Sequence, residues 1–178
     1  MRILALDQSR NGAWSVYDYD TCELVAYSAF EFDFHKFTYA QAIMHIEALV
    51  DSLIEEYDIA AVFVEDIQLR VNINAFKKLA QLQGVLINYC EKHNMLYGIV
   101  VPSQWQNFCC ARGRSSKEVK ANVTAIEHSD KKESKVLSMQ FVKDEFGIDT
   151  DNDNIADAVC IGYYVCKTIK IKPAEPRR

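Results

Sequence analysis

Two apolar runs too short to be helices, Ile3–Leu6 and Ile59–Val64, each stop at a carboxylate, the first at Asp7 and the second at Glu65. Continuous apolar runs of this length read as buried strands, so the chain has to bring other elements over them. A third such run, Met95–Val101, is stopped by Pro102. Residues 2–8, 13–19 and 23–32 have β-type composition, and the first two are separated by the turn chemistry of Ser9, Arg10, Asn11 and Gly12, which predicts a three-strand antiparallel meander. After Thr38, a good N-cap, Ile43, Ile46, Val50, Leu53, Ile54 and Tyr57 keep helical spacing. Residues 74–93 do the same through Phe76, Leu79, Leu82, Leu86 and Tyr89. Helices that cross over between strands make those strands parallel, which gives an α/β order of βββαβαβ.

The pattern weakens from Gln104 to about Ser129, where Arg112 to Lys117 reads as an exposed basic loop. Two closing helices are expected over 131–146, with Val136, Met139, Val142 and Phe146 on one face, and over 153–170, with Ile155, Val159, Tyr163 and Cys166. Residues 1–170 therefore read as one domain and 171–178 as a disordered tail. A chain of 178 residues with 49% hydrophobic content has the material for a real core, which excludes disorder and fibrous folds.

No apolar run reaches the roughly 20 residues of a membrane span, and the early Asp7 is unlike a signal peptide, so a soluble cytosolic protein is expected. The six cysteines form no C-x-x-C pair, which suggests neither a disulfide framework nor a zinc knuckle. Cys90 and His93 share a helix face, but without a second pair they read as core filler.

The formal net charge of −5 argues at first against a nucleic-acid partner. Its distribution argues otherwise. Residues 1–66 carry 3 basic and 13 acidic side chains, residues 67–143 carry 12 and 5, and residues 144–178 carry 5 and 7. Acid lies at both ends and base in the middle.

Asp7 ends a buried strand, where a bare carboxylate costs several kcal/mol unless something pairs with it. Glu65 repeats the pattern with Asp66 beside it, and because strand side chains alternate, only one of the two can join Asp7. Asp149, Asp151, Asp153 and Asp157 surround the start of the last helix, with Asp153 and Asp157 one turn apart. Carboxylates converging from remote positions repel one another unless a divalent cation lies between them, and oxygen-only ligands select a hard ion such as magnesium. Simpler roles stay open: Asp7 can close a turn with Ser9 or Asn11, Asp153 can cap a helix, and the basic stretch can be a solvated face. Asp157 resists such a reading, since it lies among Ile155, Ala156, Ala158 and Val159 on a helix that has to pack on the sheet.

A strand carrying LALDQS with a glycine soon after, a strand carrying FVEDIQ followed by the helix NAFKKLAQLQGVL, and a terminal helix beginning DNDNIADAV together resemble the RuvC-type Holliday junction resolvases. The likeness is nearer to the compact versions encoded by bacteriophages, and covers residues 1 to about 168. The resemblance implies a ribonuclease H-like fold, a five-stranded mixed sheet of order 3-2-1-4-5 flanked by helices. It implies that Asp7, Glu65 and Asp157 are catalytic and hold Mg2+, with Mn2+ able to substitute, and two ions per site. The family often has a fourth acid three positions before the last Asp. Here that position is Asn154, and Asp153 one residue earlier is the candidate substitute, so both join the expected metal set.

The resemblance further implies a homodimer that nicks two strands of a four-way junction symmetrically, leaving 5′-phosphates, and that accepts forks and flaps as well. No nucleotide cofactor and no membrane enter, and a phage protein of this kind works in the host cytoplasm. Arg70, Lys77, Lys78, Arg112, Arg114, Lys117, Lys132 and Lys135 are then the expected DNA contacts, with Lys132 or Lys135 close enough to the site to stabilise a transition-state phosphate. Three rivals remain: a junction binder that does not cut, a related nuclease acting on RNA or forks, and an actin-like kinase or ATPase. The last needs two domains around a nucleotide, and the sequence has room for one.

Overall fold

A computed structural model describes residues 1–9, 11–32, 36–68, 72–112 and 133–171. The chain runs through strands β1 (Arg2–Asp7), β2 (Asn11–Asp18) and β3 (Glu23–Glu31), then helix α1 (Tyr39–Tyr57), strand β4 (Ile59–Glu65), helix α2 (Ile73–Lys92) and strand β5 (Leu96–Val100). Among the described residues the helices α3 (Pro102–Phe108), α4 (Glu133–Phe146) and α5 (Asp153–Thr168) follow. The sheet order is β3-β2-β1-β4-β5. β1 and β2 are antiparallel, as are β2 and β3, whereas β4 lies parallel to β1 and β5 parallel to β4. The meander and both crossovers are as the periodicity predicts.

The two faces of the sheet follow from side-chain alternation. Leu4, Leu6, Val62 and Val64 point to one side and are covered by Ile46, Val50 and Leu53 of α1 and by Leu82 and Leu86 of α2. Ile3, Ala5, Ala61 and Phe63 point to the other and meet Ala156, Val159 and Cys160 of α5 together with Trp105 of α3. The same alternation carries one step further along each strand, so Asp7 and Glu65 are aimed toward the α5 side. Leu6 stands beside Val64 in the parallel pair, which puts the two carboxylates at adjoining strand ends.

Helix ends are set by local chemistry. Thr38 and Gln41 form a reciprocal capping box at α1. Asn72 caps α2 by accepting from the Ala75 amide at 3.0 Å. At α5 the cap is Asn152, which accepts from Asn154 at 3.0 Å, and not Asp153, which is the first residue of the helix itself. α5 is buried almost all round and lies close on β2: a Cβ placed at Gly162 would fall 2.5 Å from the Tyr17 ring. The Ser15 hydroxyl donates to the Ala158 carbonyl at 2.7 Å and the Tyr17 hydroxyl to that of Val159 at 3.0 Å. These bonds pin the helix that carries Asp157.

Among the described residues, the secondary structure departs from the sequence expectation after Pro102. The stretch after Pro102 is not featureless, because Pro102 begins α3, its fixed φ and missing amide suiting the first helical turn. Residues 113–132, including most of the expected basic loop, and 172–178 lie outside the described residues. All six cysteines are free thiols; burial pushes that of Cys90 up to about 11, while His93 stacks on Tyr89 at 4.3 Å. Among the described residues, no helix is long and apolar enough to cross a membrane.

Candidate acidic active site

One cleft of about 360 Å3 at the carboxyl ends of β1 and β4 is lined by Asp7, Glu65, Asp157, Asn154 and Lys135. Three elements remote in sequence thus deliver three of the predicted acids to one place. Asp153 joins them through Lys135, whose Nζ lies 2.8 Å from Asp153 and 2.5 Å from Asp157. Asp7 and Asp157 are each only 7% exposed, so their charges are held away from bulk water.

The electrostatics record that crowding. Burial, followed by the Glu65 and Asp157 carboxylates, drives the Asp7 carboxyl well above its ordinary range, with Lys135 pulling the other way. Asp157 is also raised, by burial first, against the opposing pull of Lys135 and of the neighbouring Ser138 hydroxyl. For Lys135 burial disfavours the ammonium, yet Asp157, Asp153 and Asp7 more than offset it and hold its pKa above the usual lysine range. Among the described residues the buried Asp157 Oδ1 atom has no hydrogen-bond partner, and the Ser138 hydroxyl donates to the Lys135 carbonyl at 3.1 Å.

Glu65 is held from two directions. The Trp105 indole N–H donates to its Oε1 at 2.8 Å, and the side-chain amides of Gln8 and Gln83 donate to its backbone carbonyl at 2.9 and 3.3 Å. Sequence reasoning does not single out Trp105, Gln8 or Gln83. The signals that point to them are a tryptophan beyond a proline that can start a helix, since a buried indole N–H needs an acceptor, and a glutamine between Leu82 and Leu86 on an apolar face. Asp66 also lines the cleft: β4 ends at Glu65, so strand alternation no longer governs the next residue. Of the two, Glu65 is the one whose charge acts on Asp7.

These residues suit a hard divalent cation. The donors are carboxylate oxygens, one of them buried and without a partner among the described residues, and their mutual repulsion is what a bound cation would relieve. Among the described residues, no three acidic, thiol or imidazole side chains already converge on a single point, and the ammonium of Lys135 supplies the local positive charge. Asp7, Glu65, Asp157 and Asp153 are the residues that could hold metal, with Asn154 on the cleft wall.

Of the expected DNA contacts, Lys135 is at the site itself. Lys77 and Lys78 are on the first turns of α2, with the Lys78 ammonium 5.4 Å from the Tyr39 ring centroid. Arg112 donates to the Asn107 side chain at 3.1 Å, just past α3. Arg70, Arg114, Lys117 and Lys132 lie outside the described residues.

No protein-family model matches the chain, and no curated protein does. Solved structures do. RuvC of T. thermophilus in complex with a Holliday junction substrate has a TM-score of 0.65 at 12% identity, over 95% of this chain and 96% of that one. The fowlpox virus resolvase, in a complex with Holliday junction DNA, has a TM-score of 0.55 at 15% identity, over 95% and 99%. The yeast mitochondrial Holliday junction resolvase has a TM-score of 0.53 at 12% identity, over 93% and 77%. Sheet order, flanking helices and near-complete coverage agree: the chain has the ribonuclease H-like fold that RuvC has.

Proposed function

We propose that the protein is a metal-dependent endonuclease that cuts branched DNA, with four-way junctions as its principal substrate. The observation that carries this reading is that Asp7, Glu65 and Asp157 line one cleft with Lys135 in a RuvC-like fold. Support comes also from two of the similar structures, the T. thermophilus and fowlpox virus proteins, which hold Holliday junction DNA. Divalent cations bound to such a carboxylate set would activate a water and stabilise the leaving oxygen in phosphodiester hydrolysis, leaving a 5′-phosphate. Mg2+ is the expected ion, two per site, with Mn2+ as a substitute.

The chain's own groups have distinct tasks in this reading. Asp7 and Asp157 supply buried negative charge from β1 and α5. Glu65 is kept in one orientation by the Trp105 indole. Lys135, half-buried at the cleft, offers an ammonium to the scissile phosphate. Lys77 and Lys78 lie on the flank of α2 where they can meet an arm of the branched substrate. Symmetric nicking requires two copies, so the working unit is a homodimer, and forks and flaps are further substrates. The run Asp153-Asn154-Ile155-Ala156-Asp157 fits a phage protein.

The deciding experiment incubates the protein with a labelled four-way junction, a Y-fork and linear duplex, with and without magnesium. Magnesium-dependent cutting of the branched species in preference to the duplex is expected; binding without cutting under every condition would make it a junction binder only. Replacing Lys77 and Lys78 together by alanine should lower junction affinity and reduce the slope of log K against log salt by about two, one for each phosphate that the variant no longer neutralises. An unchanged slope in a salt titration would remove that face from the interface.

A further inference from the structure

Lys135 sits where a cation would be drawn. Its ammonium bridges Asp153 and Asp157 at 2.8 and 2.5 Å, so an ion approaching those two carboxylates meets a positive charge already in contact with both. Asp157 keeps its second oxygen, Oδ1, buried and, among the described residues, without a hydrogen-bond partner. A ligand atom is therefore present but guarded. The guard can move: the Lys135 side chain is 32% exposed, lines the open cleft and ends a flexible four-carbon stem. A phosphate entering that cleft presents a second anion to the same ammonium, and a lysine-phosphate contact is a strong charge-assisted bond.

We infer that Lys135 exchanges partners on substrate binding, leaving Asp153 and Asp157 for the DNA phosphate, so that full cation loading of the cleft depends on DNA. The inference rests on the metal-nuclease reading above and adds a coupling to it. Cation affinity on the Asp157 side is low in the free protein and rises when junction DNA draws the ammonium away. By reciprocity, a cation bound there raises junction affinity by the same factor. The device keeps the free protein from carrying a fully charged hydrolytic centre.

The test counts bound Mn2+ by electron paramagnetic resonance, which needs no turnover. Wild type, Lys135→Met and Lys135→Arg are each titrated alone and with a four-way junction whose branch linkages are phosphorothioates, which keep their charge while slowing hydrolysis. Lys135→Met without DNA should bind its weakest ion about tenfold more tightly than wild type, and Lys135→Arg should behave as wild type. Adding the junction should tighten that ion by a similar factor in wild type and Lys135→Arg but hardly in Lys135→Met. Equal Mn2+ binding by all three free proteins, or equal tightening of all three by the junction, overturns the inference while leaving the nuclease reading intact. Absence of Mn2+ binding by any protein, with or without DNA, overturns both. The arginine variant separates loss of charge from loss of packing, because it retains the charge and most of the stem.

Discussion

Asp7→Asn is expected to lower magnesium-dependent cleavage of a four-way junction by roughly a thousandfold or more, with junction affinity changed by less than about twofold. The amide keeps the shape of the side chain and its place at the end of β1 but removes the charge. On the proposed reading the arms of the junction are met by lysines elsewhere, so binding should survive. A labelled-junction assay paired with a gel-shift titration measures both quantities, and cutting at the wild-type rate would remove Asp7 from the site.

The same substitution has a second, opposite-looking effect on stability. Burial, and then the neighbouring Glu65 and Asp157 charges, raise the Asp7 pKa well above its ordinary 3.8. A carboxyl raised in the fold destabilises it when ionised: the penalty is absent below the unfolded value, grows as pH rises past 3.8, and is complete above the folded value. Asparagine carries no such penalty. The metal-free variant should therefore melt a few degrees above metal-free wild type at neutral pH, the gap closing toward about pH 4. A variant less stable than wild type at neutral pH would contradict the charge crowding.

Trp105 is expected to give the second large effect. It is 1% exposed and fills the layer between α3 and α5, so Trp105→Ala should cost about 3–5 kcal/mol by chemical denaturation. Trp105→Phe is the more informative change. It preserves most of the buried ring but deletes the N–H that donates to Glu65 Oε1 at 2.8 Å. A group that orients a metal-binding carboxylate in this way is worth about 10–100-fold in metal affinity or activity. The variant should need correspondingly more magnesium for half-maximal cleavage while binding the junction as before. An unaltered magnesium dependence would reduce Trp105 to a packing residue.

Where the sequence is informative, the reason is periodicity. The strands that carry Asp7 and Glu65 are continuous apolar runs, and alternation lets only one of Glu65 and Asp66 join Asp7; the choice of Glu65 comes from the resemblance, and the register of β1 against β4 sets it on the Asp7 face. Asp157 is legible because a charge amid Ala156, Ala158 and Val159 conflicts with a helix that packs. The groups that hold the acids in place are not legible. Trp105 is joined to Glu65 across 40 residues, and Gln83 reaches the same residue from a different helix. No local pattern encodes a partner at that distance. α3 escapes detection because seven residues give too few turns for a helical period to show, and its one clear mark, Pro102, also reads as the end of a strand. The sequence reading places Lys132 or Lys135 near the site without choosing between them; it is the approach of Lys135 to two carboxylates, at 2.8 and 2.5 Å, that puts it in the cleft.

Helix α5 is the last element among the described residues, yet it lies against the first two strands, with Ser15 bonded to Ala158 across a separation of 143 residues. During synthesis the first strand leaves the ribosome carrying Asp7 long before Asp157 exists. Every partly made chain up to residue 152 therefore lacks one wall of the cleft, and the face formed by Ile3, Ala5, Tyr17 and Phe63 has nothing from α5 to cover it. Joining the ends late and across a long loop makes this a slow closure by topology. On the nuclease reading it would also tie hydrolytic competence to completion of the whole domain, since a nascent or truncated chain lacks the assembled acidic cleft.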